Sequence, residues 1–176
     1  MTTGGALVLR EEAETRPWCT FRLGGDLYGV DVMLVREVAL PVPVTPVPHA
    51  PRGVLGCVNL RGQIHLALDL RVLLGRGATT PGPEARLILF KAELGDPFGV
   101  LVEAIGAIVE VPTEQVVDHA ALAEVDGDDA AEHGRTGRPE DALVLGVARL
   151  RDELLLLLDA RRLLTALQPA DEGEPP

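Results

Sequence analysis

Hydrophobic positions recur along this chain in short sets of period two, broken by glycine and proline too often for long helices. Phe21-Arg22-Leu23-Gly24-Gly25-Asp26-Leu27-Tyr28 reads as two short strands around a Gly24-Gly25-Asp26 turn, a hairpin signal. Val30, Val32, Val35 and Val38 then set β-branched side chains along what the pattern predicts to be one extended segment. Pro41, Pro43, Pro46, Pro48 and Pro51 exclude a helix across 41–51 and remove ladder donors, which predicts edge or loop. Ile64, Leu66 and Leu68 alternate with Gln63, His65 and Ala67, predicting a strand that buries the first set and leaves His65 on its polar face. Helix is expected only in short pieces. Thr113 is placed to N-cap a turn starting at Glu114, and Asp159 to cap residues 160–167.

The chain also repeats itself. Residues 56–74 (GCVNLRGQIHLALDLRVLL) align without a gap on 146–164 (GVARLRDELLLLLDARRLL), with nine of nineteen positions identical at an offset of 90. Upstream, Tyr28-Gly29-Val30 echoes Phe98-Gly99-Val100 at an offset of 70, and Val35 and Val38 fall opposite Ile105 and Ile108. The second half therefore carries about twenty extra residues, placed at 118–141, where eight acidic residues and three glycines predict a solvated loop. Two similar half-domains, roughly 18–75 and 86–165, are the expected organisation. Short strands in two matching sets predict a pair of small barrels, and halves of about 60 residues need a shared apolar interface to be stable.

Composition narrows the function. Hydrophobic residues make up 47% of the 176, but only 3% are aromatic, so Val, Leu, Ile and Ala must build the core. Acidic residues outnumber basic ones 27 to 16, a net charge of −11, which argues against nucleic-acid binding and against docking on anionic lipid. The longest apolar run, Leu154 to Leu158, is far too short to cross a bilayer, and residues 1–16 lack the apolar stretch of a secretory signal. A cytoplasmic protein with two free thiols, Cys19 and Cys57, is the expectation.

Nothing in the sequence resembles a catalytic constellation. His49, His65, His119 and His133 have no zinc-ligand spacing, and Asp126, Asp128, Asp129 and Glu132 lack the order of a calcium loop. Neither a phosphate-binding glycine loop nor a nucleophile elbow occurs. No enzyme activity, metal or cofactor is expected, and a binding or adaptor module is. Side chains repeated at matched positions are most simply structural: Gly56 and Gly146 as backbone turns, Asp69 and Asp159 as end-of-strand caps. Glu37, Asn59, Gly62 and His65 occur in one half only and are better functional candidates. Arg61 has a twin in Arg151, which speaks for structure, yet its neighbours Asn59 and Gly62 have none.

Tyr28-Gly29-Val30-Asp31-Val32 with Val35-Arg36-Glu37-Val38, then Gly56-Cys57-Val58-Asn59-Leu60-Arg61-Gly62 and Leu68-Asp69-Leu70-Arg71, resembles the CheW family, adaptors that couple the histidine kinase CheA to chemoreceptors. The resemblance covers about 18–167. It implies a mainly β fold of two five-stranded SH3-like barrels packed on a shared hydrophobic core, with short helices: subdomain one at about 18–85, subdomain two at about 86–167, an N-terminal tail at 1–17 and an acidic, Pro-rich tail at 168–176. It further implies a non-enzymatic scaffold in the cytoplasm, recruited to membrane-associated receptor arrays. Its partners would be the regulatory domain of a CheA-type kinase, the cytoplasmic tip of a chemoreceptor and other CheW-like domains. Carried over by position, the receptor-side residues are Val35, Glu37, Asn59, Arg61, Gly62, Val102, Ile105 and Ile108. The chain departs from the family pattern in having Leu66, preceded by His65, where many members have proline, and in its five prolines at 41–51. A divergent paralogue that binds one partner only, or serves a separate signalling pathway, is the alternative.

Overall fold

The computed structural model describes residues 14–78, 80–118 and 142–167. Eleven strands run β1 Thr15–Leu23, β2 Asp26–Asp31, β3 Val35–Ala39, β4 Val54–Leu60, β5 Gln63–Asp69, β6 Arg86–Phe90, β7 Phe98–Val102, β8 Ala104–Pro112, β9 Val116–Asp118, β10 Val144–Arg149 and β11 Leu154–Leu158. A single α-helical turn, α1, spans Leu70–Leu73. The strands form a six-stranded sheet, β8-β1-β2-β11-β10-β9, and a five-stranded sheet, β3-β6-β7-β5-β4.

The hairpin expected around Gly24 is β1–β2, with Leu23 opposite Asp26. Its two loop residues have φ of 59° at Gly24 and 90° at Gly25, the backbone a two-residue hairpin turn requires. The valine run 30–38 is not one strand. Asp31 Oδ1 accepts from Met33 N–H at 2.8 Å and caps a 3₁₀ turn at Val32–Leu34. That turn carries the chain from β2 in one sheet to β3 in the other.

The sheets cut across the repeat. Each half opens with a hairpin, or its equivalent, that joins the sheet built from the rest of the other half. Two parallel pairings make the seams: Leu155 to Leu158 against Leu27 to Val30, and Leu66 to Asp69 against Phe98 to Leu101. Strand pairing therefore does not follow the expected division into 18–85 and 86–167. The exchange gives both halves a common interior, which neither could build from its own residues.

Three apolar clusters form among the described residues. The largest draws Phe21, Tyr28, Val30 and Leu158 from the six-stranded sheet and Leu68, Ile88, Phe98 and Val100 from the five-stranded one. Trp18, Leu27, Val111, Ala148, Leu155 and Leu157 line the inside of the six-stranded sheet, and Val58, Ala67, Leu87 and Leu89 that of the five-stranded sheet. A shared core between two small barrels results, as expected, except that β9 gives one sheet a sixth strand. β11 is all leucine because it lies between β2 and β10, with Leu155 and Leu157 on the barrel interior and Leu158 in the shared core.

The proline stretch is irregular apart from one bridge, in which Thr45 and Cys57 exchange N–H···O bonds of 2.8 Å. This bridge covers the edge of β4 as β9 covers that of β10. Thr113 opens a 3₁₀ turn but does not cap it; its hydroxyl donates instead to the Glu14 carbonyl at 2.7 Å, tying β8 to β1. The loop predicted at 118–141, with its acidic cluster, lies outside the described residues beyond Asp118.

Candidate functional site

The Asn59-Leu60-Arg61-Gly62 element is the β4–β5 turn. Leu60 is opposite Gln63, so Arg61 and Gly62 are its two loop residues, with φ of 53° and 82°. A left-handed arginine is uncommon, and the turn is closed by Asn59 Oδ1, which accepts from the Gly62 N–H at 3.0 Å. The tip projects Arg61 to a side-chain exposure of 83%, yet one of its guanidinium nitrogens is 3.1 Å from Glu37 Oε2. Beside it, Arg36 donates to Gln63 Oε1 at 2.7 Å.

These two contacts matter topologically. β3 and β4 are the outer strands of the five-stranded sheet, yet β3 meets the β4–β5 turn. The sheet has curled until its margins touch, and Glu37 with Arg61 spans the closure at the barrel rim.

Glu37 faces inward. Registers link Glu37 to Leu89, Leu89 to Gly99 and Gly99 to Ala67, one row across one face of the sheet. His65, two residues before Ala67, is on that face and is 2% exposed. The reading of β5 is thus reversed at its start: His65 is buried and Ile64 is 56% exposed. β5 lies between β7 and β4, so both its faces are packed further along, and Ile64 sits at the uncovered end. Burial, then the positive charge of Arg36, push the His65 pKa below its ordinary value, and Glu37 opposes them.

The apolar candidates gather at the shared core. Val35 and Ile105 are half-buried against it, and Val102 is inside it at 2% exposed. Ile108 is 64% exposed although its register partner Cys19 belongs to the core. Val38, opposite core residue Ile88, is 41% exposed in the same way on the other sheet. Each of β3 and β8 is an outer strand and leaves an apolar side chain at the margin of the common interior. Sequence reasoning left out Val38, Arg36 and Gln63. The match of Val38 to Ile108 at offset 70 was the available signal for the first.

Of the four residues repeated at matched positions, the two aspartates accept backbone N–H groups at the ends of β5 and β11. Asp69 Oδ1 accepts from the N–H of Arg71 at 3.0 Å and of Val72 at 3.3 Å, and Asp159 Oδ1 from that of Arg161 at 3.0 Å. Their backbone N–H groups donate to Gly53 and Leu143. Gly56 and Gly146 are not turns but lie at register shifts within β4 and β10, where an adjoining segment presses on the strand. Both cysteines are free, and burial pushes the Cys19 thiol pKa up, away from reactivity. Among the described residues, no three His, Cys, Asp or Glu side chains are grouped to hold a metal ion.

A family model described as the CheW-like domain matches residues 17–168. The chain is 35% identical over 102 residues to the chemotaxis protein CheW of Rhizobium meliloti (strain 1021), covering 57% of this chain and 64% of that one. The chain thus spans less than two thirds of that relative. Protein FrzA of Myxococcus xanthus is 30% identical over 174 residues, 97% of this chain and 98% of that one. The crystal structure of scaffolding protein TtCheW from Thermoanaerobacter tengcongensis superposes with a TM-score of 0.69, covering 85% of this chain and 92% of that one; at 24% identity it shows the fold.

Proposed function

From the chain's membership of the CheW-like domain family, we propose that it is a non-enzymatic signalling adaptor, coupling the cytoplasmic tip of a chemoreceptor to a CheA-type histidine kinase. Residues 18–167 act as one adaptor domain. The observation that carries the receptor side is the exposure of apolar Val38 and Ile108 on two outer strands, each opposite a residue of the shared core. A helical hairpin would set apolar side chains into such a margin, over Val35, Ile105 and Ile108 with Val102 beneath. Glu37 and Arg61, on the turn shaped by Asn59 and Gly62, would orient it through charge at the rim. The kinase regulatory domain, and other CheW-like domains, would use surfaces elsewhere on the barrels. No helix among the described residues is long and apolar enough to cross a membrane, so recruitment to receptor arrays would go through these protein contacts.

Ile108→Asp tests the reading by separate pull-downs on a receptor tip and a kinase regulatory domain, beside a thermal melt. The expected result is a folded protein that keeps the kinase and loses the receptor. Normal receptor binding by the folded variant would overturn the assignment. If the parent chain itself captures only one partner, the divergent-paralogue reading replaces the full adaptor.

A further inference from the structure

His65 has no role in the proposed contacts, yet it is the buried ionisable ring of the first barrel. It is 2% exposed, and its Nδ1 has no hydrogen-bond partner among the described residues. An imidazole in such a place is stable when neutral, because a buried cation needs a partner. Its register partner Val58 of β4 is apolar, as is Ala67, the next residue on its face of β5, from which the row runs to Gly99 of β7 and Leu89 of β6. Charge comes from β3, where Arg36 is held on Gln63 and Glu37 shares the inner face with His65.

Asp69, two residues past Ala67, is held capping α1, whereas the present partner of Glu37 is a mostly solvated guanidinium. Water replaces the carboxylate at Arg61 with little loss, since exposed ion pairs are weak. A protonated ring inside the barrel has no such substitute. We infer that His65 is a proton-sensitive element of the rim: when a proton from solvent adds to its ring, Glu37 turns to the imidazolium and releases Arg61. The β4–β5 turn then loses the contact that ties it to β3. Acid would loosen the rim, and neutral pH would restore it. That the rim controls receptor engagement rests on the function proposed above; the exchange of partners does not.

The test is an NMR titration of the full chain from pH 8 to 5, following the His65 ring C–H, the Gly62 amide and the Arg61 Nε. In the parent all three should move with one midpoint, below that of an ordinary histidine. In His65→Gln the Gly62 and Arg61 movements should be lost; if that variant does not fold, His65→Leu, which suits the apolar lining, takes its place. Glu37→Gln should lower the His65 midpoint further, because it removes the one charge favouring the cation. Unchanged Gly62 and Arg61 titration without His65, or a His65 transition that leaves both signals still, would overturn the inference. Receptor-tip pull-down at pH 8 and 5 is read separately. No binding at either pH counts against the receptor reading alone.

Discussion

Gly56 and Thr45 are packed so closely that a Cβ on Gly56 would stand 2.2 Å from the Thr45 carbonyl oxygen. The same holds in the second half, where a Cβ on Gly146 would be 2.5 Å from the Val117 carbonyl oxygen. In each sheet a strand bulges at glycine so that an adjoining segment can cover its edge. Gly56→Ala should cost about 2–3 kcal/mol, since φ there is 144° and the clash is with backbone. On a chain of this size that is a fall in Tm of roughly 5–10 °C. Gly146→Ala meets the clash alone and should cost less; equal or negligible losses in the melts would contradict this account.

The two caps differ in depth. Asp69 is 6% exposed and accepts two backbone N–H groups, whereas Asp159 Oδ1 accepts one. Replacement by alanine should cost about 1–2 kcal/mol at Asp69 and about 0.5–1 kcal/mol at Asp159. Denaturant melts measure both, and the order of the two is the point at issue.

Substitution of Arg61 should separate stability from receptor binding. Its φ of 53° is unfavourable for a residue with an ordinary β-carbon and suits asparagine better. The ion pair lost with it is exposed and contributes at most about 1 kcal/mol. Arg61→Asn should therefore leave stability unchanged or raise it by up to about 1 kcal/mol, while weakening receptor capture. A variant that melts early and binds normally would reverse both parts.

Ile105 and Ile108 should respond differently to the same substitution. Ile105 is half-buried against the shared core, so Ile105→Asp places a carboxylate in apolar surroundings and should destabilise by several kcal/mol. Ile108 is 64% exposed, and Ile108→Asp should shift stability by no more than about 0.5 kcal/mol. Parallel melts decide it.

Stability should rise with pH across the range in which His65 titrates. Its folded pKa is below the ordinary value of about 6.5, so between the two the unfolded chain binds the proton and the folded chain does not. This contribution is complete above about pH 6.5 and is lost as pH falls toward the folded value. A series of melts from pH 8 to 5 should show the decline, and His65→Leu should flatten that part of it.

Much of the fold was legible in residue order, because local chemistry sets it. The Gly24-Gly25 hairpin, the caps at Asp69 and Asp159 and the irregular proline stretch each follow from neighbours within a few residues. The internal repeat foretold two similar barrels on one core, since equal patterns bury equal faces. Tertiary structure decided what depends on partners distant in sequence. Alternation in β5 marks two faces but not which is covered, so it predicts His65 on the polar face, whereas the fold buries it beside its register partner Val58. The exchange of strands between halves was equally out of reach: a parallel pairing such as Leu157 with Gly29 joins residues with no local signal for each other. For the same reason the sequence could nominate Glu37 and Arg61 separately, but only the curling of a five-stranded sheet brought them within 3.1 Å.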